Sequence, residues 1–294
     1  MTAKSILKNI YRTVPFKREL YTLIRPVFSP PKRVYQHLHF EGPIRVEVEP
    51  GKSFTMMHHG FEVENDIFWA GLFGGWEKTS LRLWHQLCAE ADVILDVGAN
   101  TGVYALLSKT TNPHAKVFAF EPVERIFSKL AANVELNGYD ITCIKKAASS
   151  SDGKAVIYDT PSAHTYSVTV NTNLRGKPDA FPVEIETTSL DTFVDERGLS
   201  SIDLIKIDVE THEPEVLQGL SGHLKRFRPT LLVEILNADV ARGVEEAVGD
   251  VGYLYFDIDE AGGIRQSARL SAGGSRNFLI CTREVALKQG LVRD

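Results

Sequence analysis

The chain has 294 residues, enough for one large domain or a domain with an appendage, and 43% hydrophobic with 24% charged residues excludes global disorder. Thirty-three basic against 38 acidic side chains give a net charge of −5, which argues against a nucleic-acid partner, since such binders carry a basic footprint. The charge is split. Residues 1–35 hold eight basic side chains (Lys4, Lys8, Arg12, Lys17, Arg18, Arg25, Lys32, Arg33) against Glu19 alone, a net +7, and the remainder holds 25 against 37, a net −12.

The basic arm, residues 1–35, spaces Ile6, Ile10, Val14, Leu20, Ile24 and Phe28 at helical intervals, with Pro15 interrupting and Pro26, Pro30 and Pro31 ending it. An extension over residues 36–90 follows. RVEVEPGKSFTMM alternates like a hairpin around Pro50-Gly51. VENDIFWAGLFGGWEKTS is polar and aromatic, and a helix is expected from about Glu77 to Glu90. In FGGWEKTS, Gly74-Gly75 permits a hinge and Trp76 can cover an apolar group; an ordinary connector with Trp76 in the core is the other reading.

From Asp92 to about residue 285 the rhythm is regular. DVILDVG, KVFAFEP, ITCIKKA, IDLIKIDVE and PTLLVEIL read as strands, separated by helical segments, with GYLYFDID and RNFLICT as the last two strands. SSSDGKAVIYD and VEIETTSLDTFV read as extra β structure. Such alternation implies an α/β fold with a mostly parallel sheet, helices on both faces and an antiparallel edge. Cys88, Cys143 and Cys281 lie far apart and form no metal or disulfide pattern, no apolar run approaches the ~18 residues of a membrane span, and no signal-peptide core is present, so a cytoplasmic setting is expected.

The strongest signal is Asp96-Val97-Gly98-Ala99-Asn100-Thr101-Gly102, between a strand and a helix. Free N–H groups at the helix start favour a carboxylate, and the glycines let a ligand approach the backbone. The second strand ends in Glu121, an acid able to accept both hydroxyls of a ribose. A dinucleotide prefers G-x-G-x-x-G and would be repelled by Asp96 beside its pyrophosphate. S-adenosyl-L-methionine wants an acid for its ammonium, N–H groups for its carboxylate and an acid for its ribose, which this order supplies. A plain glycine turn capped by Asp96, and an NAD(P)-dependent oxidoreductase or sugar epimerase, are the competing readings; a non-catalytic cofactor-binding module is a third.

DVGANTG, FEPVERIFSKLAANVELNG, TTSLDTF, IDLIKIDVETHEPEVLQG and RPTLLVEIL together resemble the FkbM-type S-adenosylmethionine-dependent methyltransferases in order and spacing, from about Glu77 to Thr282. The resemblance implies the class I methyltransferase fold, Rossmann-like, with a seven-stranded sheet whose last strand is antiparallel. It implies O-methylation of sugars, glycolipids or natural products. By resemblance Asp96, Gly98, Asn100 and Gly102 form the cofactor turn, Glu121 holds the ribose with Pro122 shaping the corner, Ala147, Ala148, Ser149 and Asp152 face the adenine, and Lys206, Asp208 and Glu210 lie near the methyl. The family usually has Gly after KIDVE, where this chain has Thr211; if that turn needs positive φ, a β-branched residue is costly there.

Methyl transfer to a hydroxyl benefits from a base. Lys206, Asp208 and Glu210 share one face if the strand continues through them, Lys206 keeps its acids ionised, and His212 suits a base at neutral pH. A surface helix start is the other reading of His212, a structural ion pair that of Lys206 and Asp208. Glu234, ending the next strand, is a further candidate. A metal on Asp208, Glu210 and His212 is conceivable, but the spacing matches no ligand pattern, so no metal is expected. His37, His39, His58 and His59 read as surface or core residues, and His164, Tyr166 and Arg175 as an insert suited to specificity or to solvent. The arm reads either as a helix packed on its own domain or a second subunit, or as a peripheral contact with an anionic membrane at the inner face, with Ile6, Ile10, Tyr11, Leu20, Tyr21 and Ile24 as its apolar side.

Overall fold

The computed structural model describes residues 15–159, 180–273 and 276–293. Lys4, Ile6, Lys8, Ile10, Tyr11 and Arg12 of the arm, and His164, Tyr166 and Arg175 of the insert, lie outside the described residues. Helix α1 (Lys17–Ile24) is anchored by Tyr21, which is buried against Phe40 and Trp69 with ring centroids 6.0 and 5.2 Å away. Its other side leaves Phe16, Leu20 and Leu23 exposed, and Val27 and Phe28 just beyond it are exposed too. A short helix, α2 (Lys32–Tyr35), leads to a hairpin of β1 (Gly42–Glu49) and β2 (Lys52–His58). The predicted alternation holds: Ile44, Val46, Val48, Phe54 and Met56 face inward. His58 is buried with its ring 4.2 Å from that of Phe40, a core residue.

Helix α3 (Glu62–Ala70) carries no amphipathic signal, because Glu64 through Trp69 are all buried, polar residues included. Helix α4 (Lys78–Cys88) is the one expected near Glu77. Then come β3 (Val93–Val97), α5 (Val103–Thr111), β4 (Lys116–Phe120), α6 (Glu124–Asn137) and β5 (Ile141–Ile144). The predicted third strand stops at Ile144. Its tail, β6 (Ala147–Ala148), joins β7 (Gly153–Asp159) and β8 (Phe181–Thr188) in a separate three-stranded sheet of order β6-β8-β7, the extra β structure expected there. After α7 (Leu190–Arg197) follow β9 (Leu204–Ile207), α8 (Glu213–Gln218), α9 (Ser221–Phe227), β10 (Thr230–Glu234), α10 (Ala238–Val248), β11 (Leu254–Asp259), β12 (Gly263–Ser267), β13 (Asn277–Cys281) and α11 (Arg283–Lys288).

The main sheet runs β12-β11-β13-β10-β9-β3-β4-β5. The five strands from β10 to β5 are mutually parallel, and β13 enters antiparallel between β10 and β11. Seven of these strands form the expected class I methyltransferase sheet. The eighth, β12, pairs only with β11 and takes the edge that the sequence assigned to the closing pair. Strand parity sorts the core. Ile94, Ala119, Leu204, Leu232 and Leu279 face a cluster with the hairpin, α4 and α5. Leu95, Val97, Ile205, Ile207 and Val233 face another with α7, α8 and α10. The hairpin is clipped to α6: Thr55 N–H donates to Asn137 Oδ1 at 2.7 Å and Met57 N–H to Asn133 Oδ1 at 2.8 Å. No helix among the described residues is long and apolar enough to cross a membrane.

The chain builds outward from β3 to β5 and then returns to β9 on the other side of β3. That reversal opens a crevice at the carboxyl ends of β3 and β9, the place where such sheets bind ligands.

Candidate active site

One cavity occupies that crevice, and its wall is assembled from several separate stretches of chain. The first is the turn after β3. Gly98 N–H and Ala99 N–H both donate to Phe120 O, at 3.0 and 2.9 Å, which folds the turn against β4. Gly98, Asn100 and Gly102 all have positive φ, of 80°, 53° and 91°. A Cβ on Gly98 would lie 1.9 Å from Asp208 O, and one on Gly102 would lie 2.6 Å from Leu130 Cδ1. Both glycines are thus required by the chain's own packing. Gly98 and Asn100 line the cavity, whereas Gly102 caps α5 away from it. Asn100 Oδ1 is buried without a hydrogen-bond partner.

Asp96 is 1% exposed and is not part of the cavity wall. Its Oδ2 accepts from Ala105 N–H at 3.0 Å, while Oδ1 has no partner. Burial raises its pKa to about 6, with nearby Lys206 opposing the rise. Asp96, expected from sequence to contact the ligand, stands just behind the cavity wall, where Oδ2 braces the first turn of α5.

The second stretch, Phe120 to Val123, meets Ala147, Ala148 and Ile157 to make an apolar slot. Glu121 sits at its rim, with Oε2 accepting from Asn100 N–H at 3.2 Å and Oε1 from Val123 N–H at 3.0 Å. Burial raises its pKa to about 7. Pro122 and Ala148 stand where the sequence placed them. Asp152 does not: its carboxylate accepts from Thr188 Oγ1 at 2.8 Å and Thr192 Oγ1 at 2.6 Å, and it stands outside the cavity wall.

The end of β9 supplies the charged side. The strand stops at Ile207, so Lys206, Asp208 and Glu210 do not share a strand face as expected. Lys206 is buried, donates to Asp208 Oδ2 at 2.8 Å and lies 4.7 Å from the Tyr104 ring centroid. Burial alone would lower its pKa, but Asp208, Asp96 and Glu77 outweigh that and hold it protonated. Asp208 and Glu210 line the cavity; Lys206 lies behind them. Glu210 and Thr211 have φ of 54° and 82°, so the position where Thr211 replaces the expected Gly does require left-handed backbone. Glu213 pins this strained loop, its Oε1 accepting from Val209 N–H at 3.1 Å and Thr211 N–H at 3.2 Å.

His212 lines the cavity and is no surface helix start: its side chain is 13% exposed. Nε2 of the ring is hydrogen-bonded to Ser149 Oγ at 2.9 Å, and Nδ1 lies 3.5 Å from Glu215 Oε2 without a hydrogen bond between them. Burial lowers its pKa and Glu215 partly offsets this, so the imidazole is neutral at pH 7. Glu234, at the end of β10, is pushed up to about 9 by burial and by the charges of Asp208 and Glu210. Trp76, Glu77, Lys146 and Arg276 complete the wall; sequence reasoning singled out Trp76 alone among them. Five carboxylates face the cavity, Glu77, Glu121, Asp208, Glu210 and Glu234, against two cations, Lys146 and Arg276, so it favours a positively charged ligand.

The family model described as Methyltransferase FkbM domain matches residues 96–260, more than half of the chain. The chain belongs to the FkbM methyltransferase family. It is 32% identical over 159 residues to hexuronic acid methyltransferase AglP of Haloferax volcanii, covering 54% of this chain and 62% of that protein, which is less than two thirds of its length. It is 31% identical over 179 residues to 31-O-demethyl-FK506 methyltransferase FkbM of Streptomyces tacrolimicus, covering 52% of this chain and 68% of that one. It is 28% identical over 164 residues to 2-O-methyltransferase NoeI of Sinorhizobium fredii, covering 51% and 68%.

The cofactor of this FkbM-family methyltransferase is S-adenosylmethionine, and the residues present fit it. Apolar residues Phe120, Ala147, Ala148 and Ile157 suit an adenine, Glu121 suits a ribose, and the further acids of the wall suit a sulfonium and an ammonium. Of the family's cofactor positions, Gly98, Asn100, Glu121, Pro122, Ala148 and Asp208 line one cavity; Asp96 and Gly102 support it from behind.

Proposed function

We propose that the protein transfers a methyl group from S-adenosylmethionine to a hydroxyl of a carbohydrate, glycolipid or related natural product. The observation that carries this reading is that Asp208, Glu210, His212 and Glu234 line the same cavity as the residues suited to the cofactor. A hydroxyl is a poor nucleophile until a base takes its proton, and among these residues His212 is the one suited to take it near neutral pH. The names of the hexuronic acid and 2-O-methyltransferase relatives support an oxygen acceptor on a sugar.

Glu121 and the slot from Phe120 to Ala148 would hold the nucleoside, and Asp208 and Glu210 would face the charged centre. When bound, the cofactor supplies a methyl group on a positively charged sulfur, a good electrophile with a neutral leaving group. The protein's part is positioning and proton removal. With Nδ1–H directed toward Glu215, 3.5 Å away, Nε2 of His212 is the basic nitrogen; it takes the hydroxyl proton once the substrate hydroxyl replaces Ser149 Oγ, now 2.9 Å away, and Glu215 stabilises the imidazolium that results. Lys206 holds the Asp208 carboxylate in place through a 2.8 Å hydrogen bond. Calorimetry tests the reading: saturable binding of S-adenosylhomocysteine without binding of NAD supports it, and the reverse pattern replaces it with the oxidoreductase or epimerase reading.

The same reading extends to location. The exposed side chains Phe16, Leu20, Leu23, Val27 and Phe28 form one apolar face, bordered by Lys17, Arg18, Arg25, Lys32 and Arg33. An apolar stripe inside a basic border suits the inner surface of an anionic bilayer, where a lipid-linked sugar would present its hydroxyls.

A further inference from the structure

We propose that Glu77 is the residue that binds the cofactor's α-ammonium, so that the site is completed from outside the segment that defines the family. The proposal rests on S-adenosylmethionine as the cofactor. Glu77 precedes residues 96–260, yet its carboxylate stands in the cavity wall with Gly98, Asn100 and Asp208.

Four observations point the same way. Glu77 occupies the N-cap position of α4 but makes no capping hydrogen bond. That task is done from the far end of the chain by Glu260, which accepts from Thr79 N–H at 2.6 Å, Ser80 N–H at 3.3 Å and Ser80 Oγ at 2.5 Å. Relieved of capping, Glu77 turns inward and accepts from Tyr104 OH at 2.6 Å. Its φ of 45° is left-handed, a conformation that a non-glycine residue keeps only where its surroundings impose it, as they do at ligand sites.

Charge balance adds the fourth. Lys206 is in electrostatic contact with Asp208, Asp96 and Glu77 at once. One buried cation against three acids leaves a negative surplus, which a sulfonium and an ammonium would neutralise. Asp96 is 1% exposed and does not line the cavity, whereas Glu77 does. Glu77 is the acid of this trio that both reaches the cavity and lies outside the β9 loop.

The test compares two cofactor-like ligands by titration calorimetry. S-adenosylhomocysteine carries the ammonium, and 5′-methylthioadenosine has the same nucleoside without the amino-acid end. Glu77→Gln is expected to weaken S-adenosylhomocysteine by about tenfold to a hundredfold, the range of a hydrogen bond to a charged group, and to leave methylthioadenosine unchanged. A second measurement uses the wild-type protein in two buffers of different ionisation enthalpy: burial places Glu77 near a pKa of about 7, so S-adenosylhomocysteine should release protons at pH 7 that methylthioadenosine does not. Equal loss of both ligands in Glu77→Gln, no loss of either, a selective loss in Asp96→Asn instead, or the same proton release with both ligands would overturn the assignment. Failure of the wild-type protein to bind either ligand would overturn the cofactor itself, and is distinguishable from all of these.

Discussion

Asp96 and Lys206 face each other across β3 and β9 as register partners, and Lys206 reaches on to Asp208 at 2.8 Å. The pairing joins the two motifs that the sequence offers separately, the glycine turn and the KIDVE segment, into one buried charge network beneath the cavity floor. It also explains why Lys206 stays protonated at a depth that would otherwise strip its charge. A mutation at either end of this network should disturb both halves of the site.

Replacing His212 by Ala is expected to reduce turnover by about a hundredfold or more, the ordinary worth of a general base, with S-adenosylhomocysteine affinity unchanged. In the wild-type enzyme, activity should fall on the acid side as the imidazole takes a proton. Burial lowers its pKa, so that fall should come below the ordinary histidine value. Steady-state rates from pH 5 to 8 check both points, and equal turnover in the two proteins would remove His212 from the chemistry.

Thr211 sits at φ 82°, and Glu213 holds the loop in place through two backbone hydrogen bonds. Replacing Thr211 by Gly should relieve the strain and raise stability by about 1 kcal/mol, measured by urea denaturation. Replacing Glu213 by Gln keeps one oxygen acceptor but puts an amide NH2 group where Oε2 is buried without a partner, and should lower stability in the same assay.

Glu234 is held near a pKa of about 9, against an unfolded value of 4.5, so the folded state keeps a proton that the unfolded chain releases. Its contribution to stability is present below pH 4.5 and is lost as pH rises toward 9, by at most about 1.4 kcal/mol per unit. Glu77, Glu121 and Glu213 are raised to about 7 and Asp96 to about 6, so they act in the lower part of that window. Between pH 7.5 and 9 the loss belongs mainly to Glu234. Glu234→Gln should flatten the stability curve there, and an unchanged slope would show that Glu234 is ionised.

The double change Leu23→Asp with Val27→Asp should abolish co-sedimentation with phosphatidylglycerol vesicles while leaving the melting temperature near wild type, since both residues are exposed. Wild-type protein that stays in solution with such vesicles, or that forms dimers through this face instead, would exclude the bilayer contact.

Much of this was legible in sequence because it is local. A strand, a glycine turn and a helix follow one another within Asp96 to Thr111, and Glu121 ends the next strand, so the slot and its rim could be read directly. What was not legible depends on packing between distant segments. Whether Asp96 faces ligand or protein is decided by Ala105 and by the register with Lys206. Glu77 enters the site because Glu260, 183 residues later, caps its helix. The end of β9 at Ile207 follows from the positive φ at Glu210 and Thr211, which no alternation pattern announces. β12 escaped notice because Gly263–Ser267 is polar and half exposed, an edge strand without an apolar face.

The central claim is methyl transfer to a hydroxyl, and mass spectrometry of glycans and lipids exposed to the enzyme and isotopically labelled S-adenosylmethionine tests it most directly. The account predicts one labelled methyl group on a sugar oxygen, produced by the wild-type protein and absent with Glu121→Ala. A labelled methyl on nitrogen or carbon, or no labelled product from an enzyme that binds the cofactor, would contradict it.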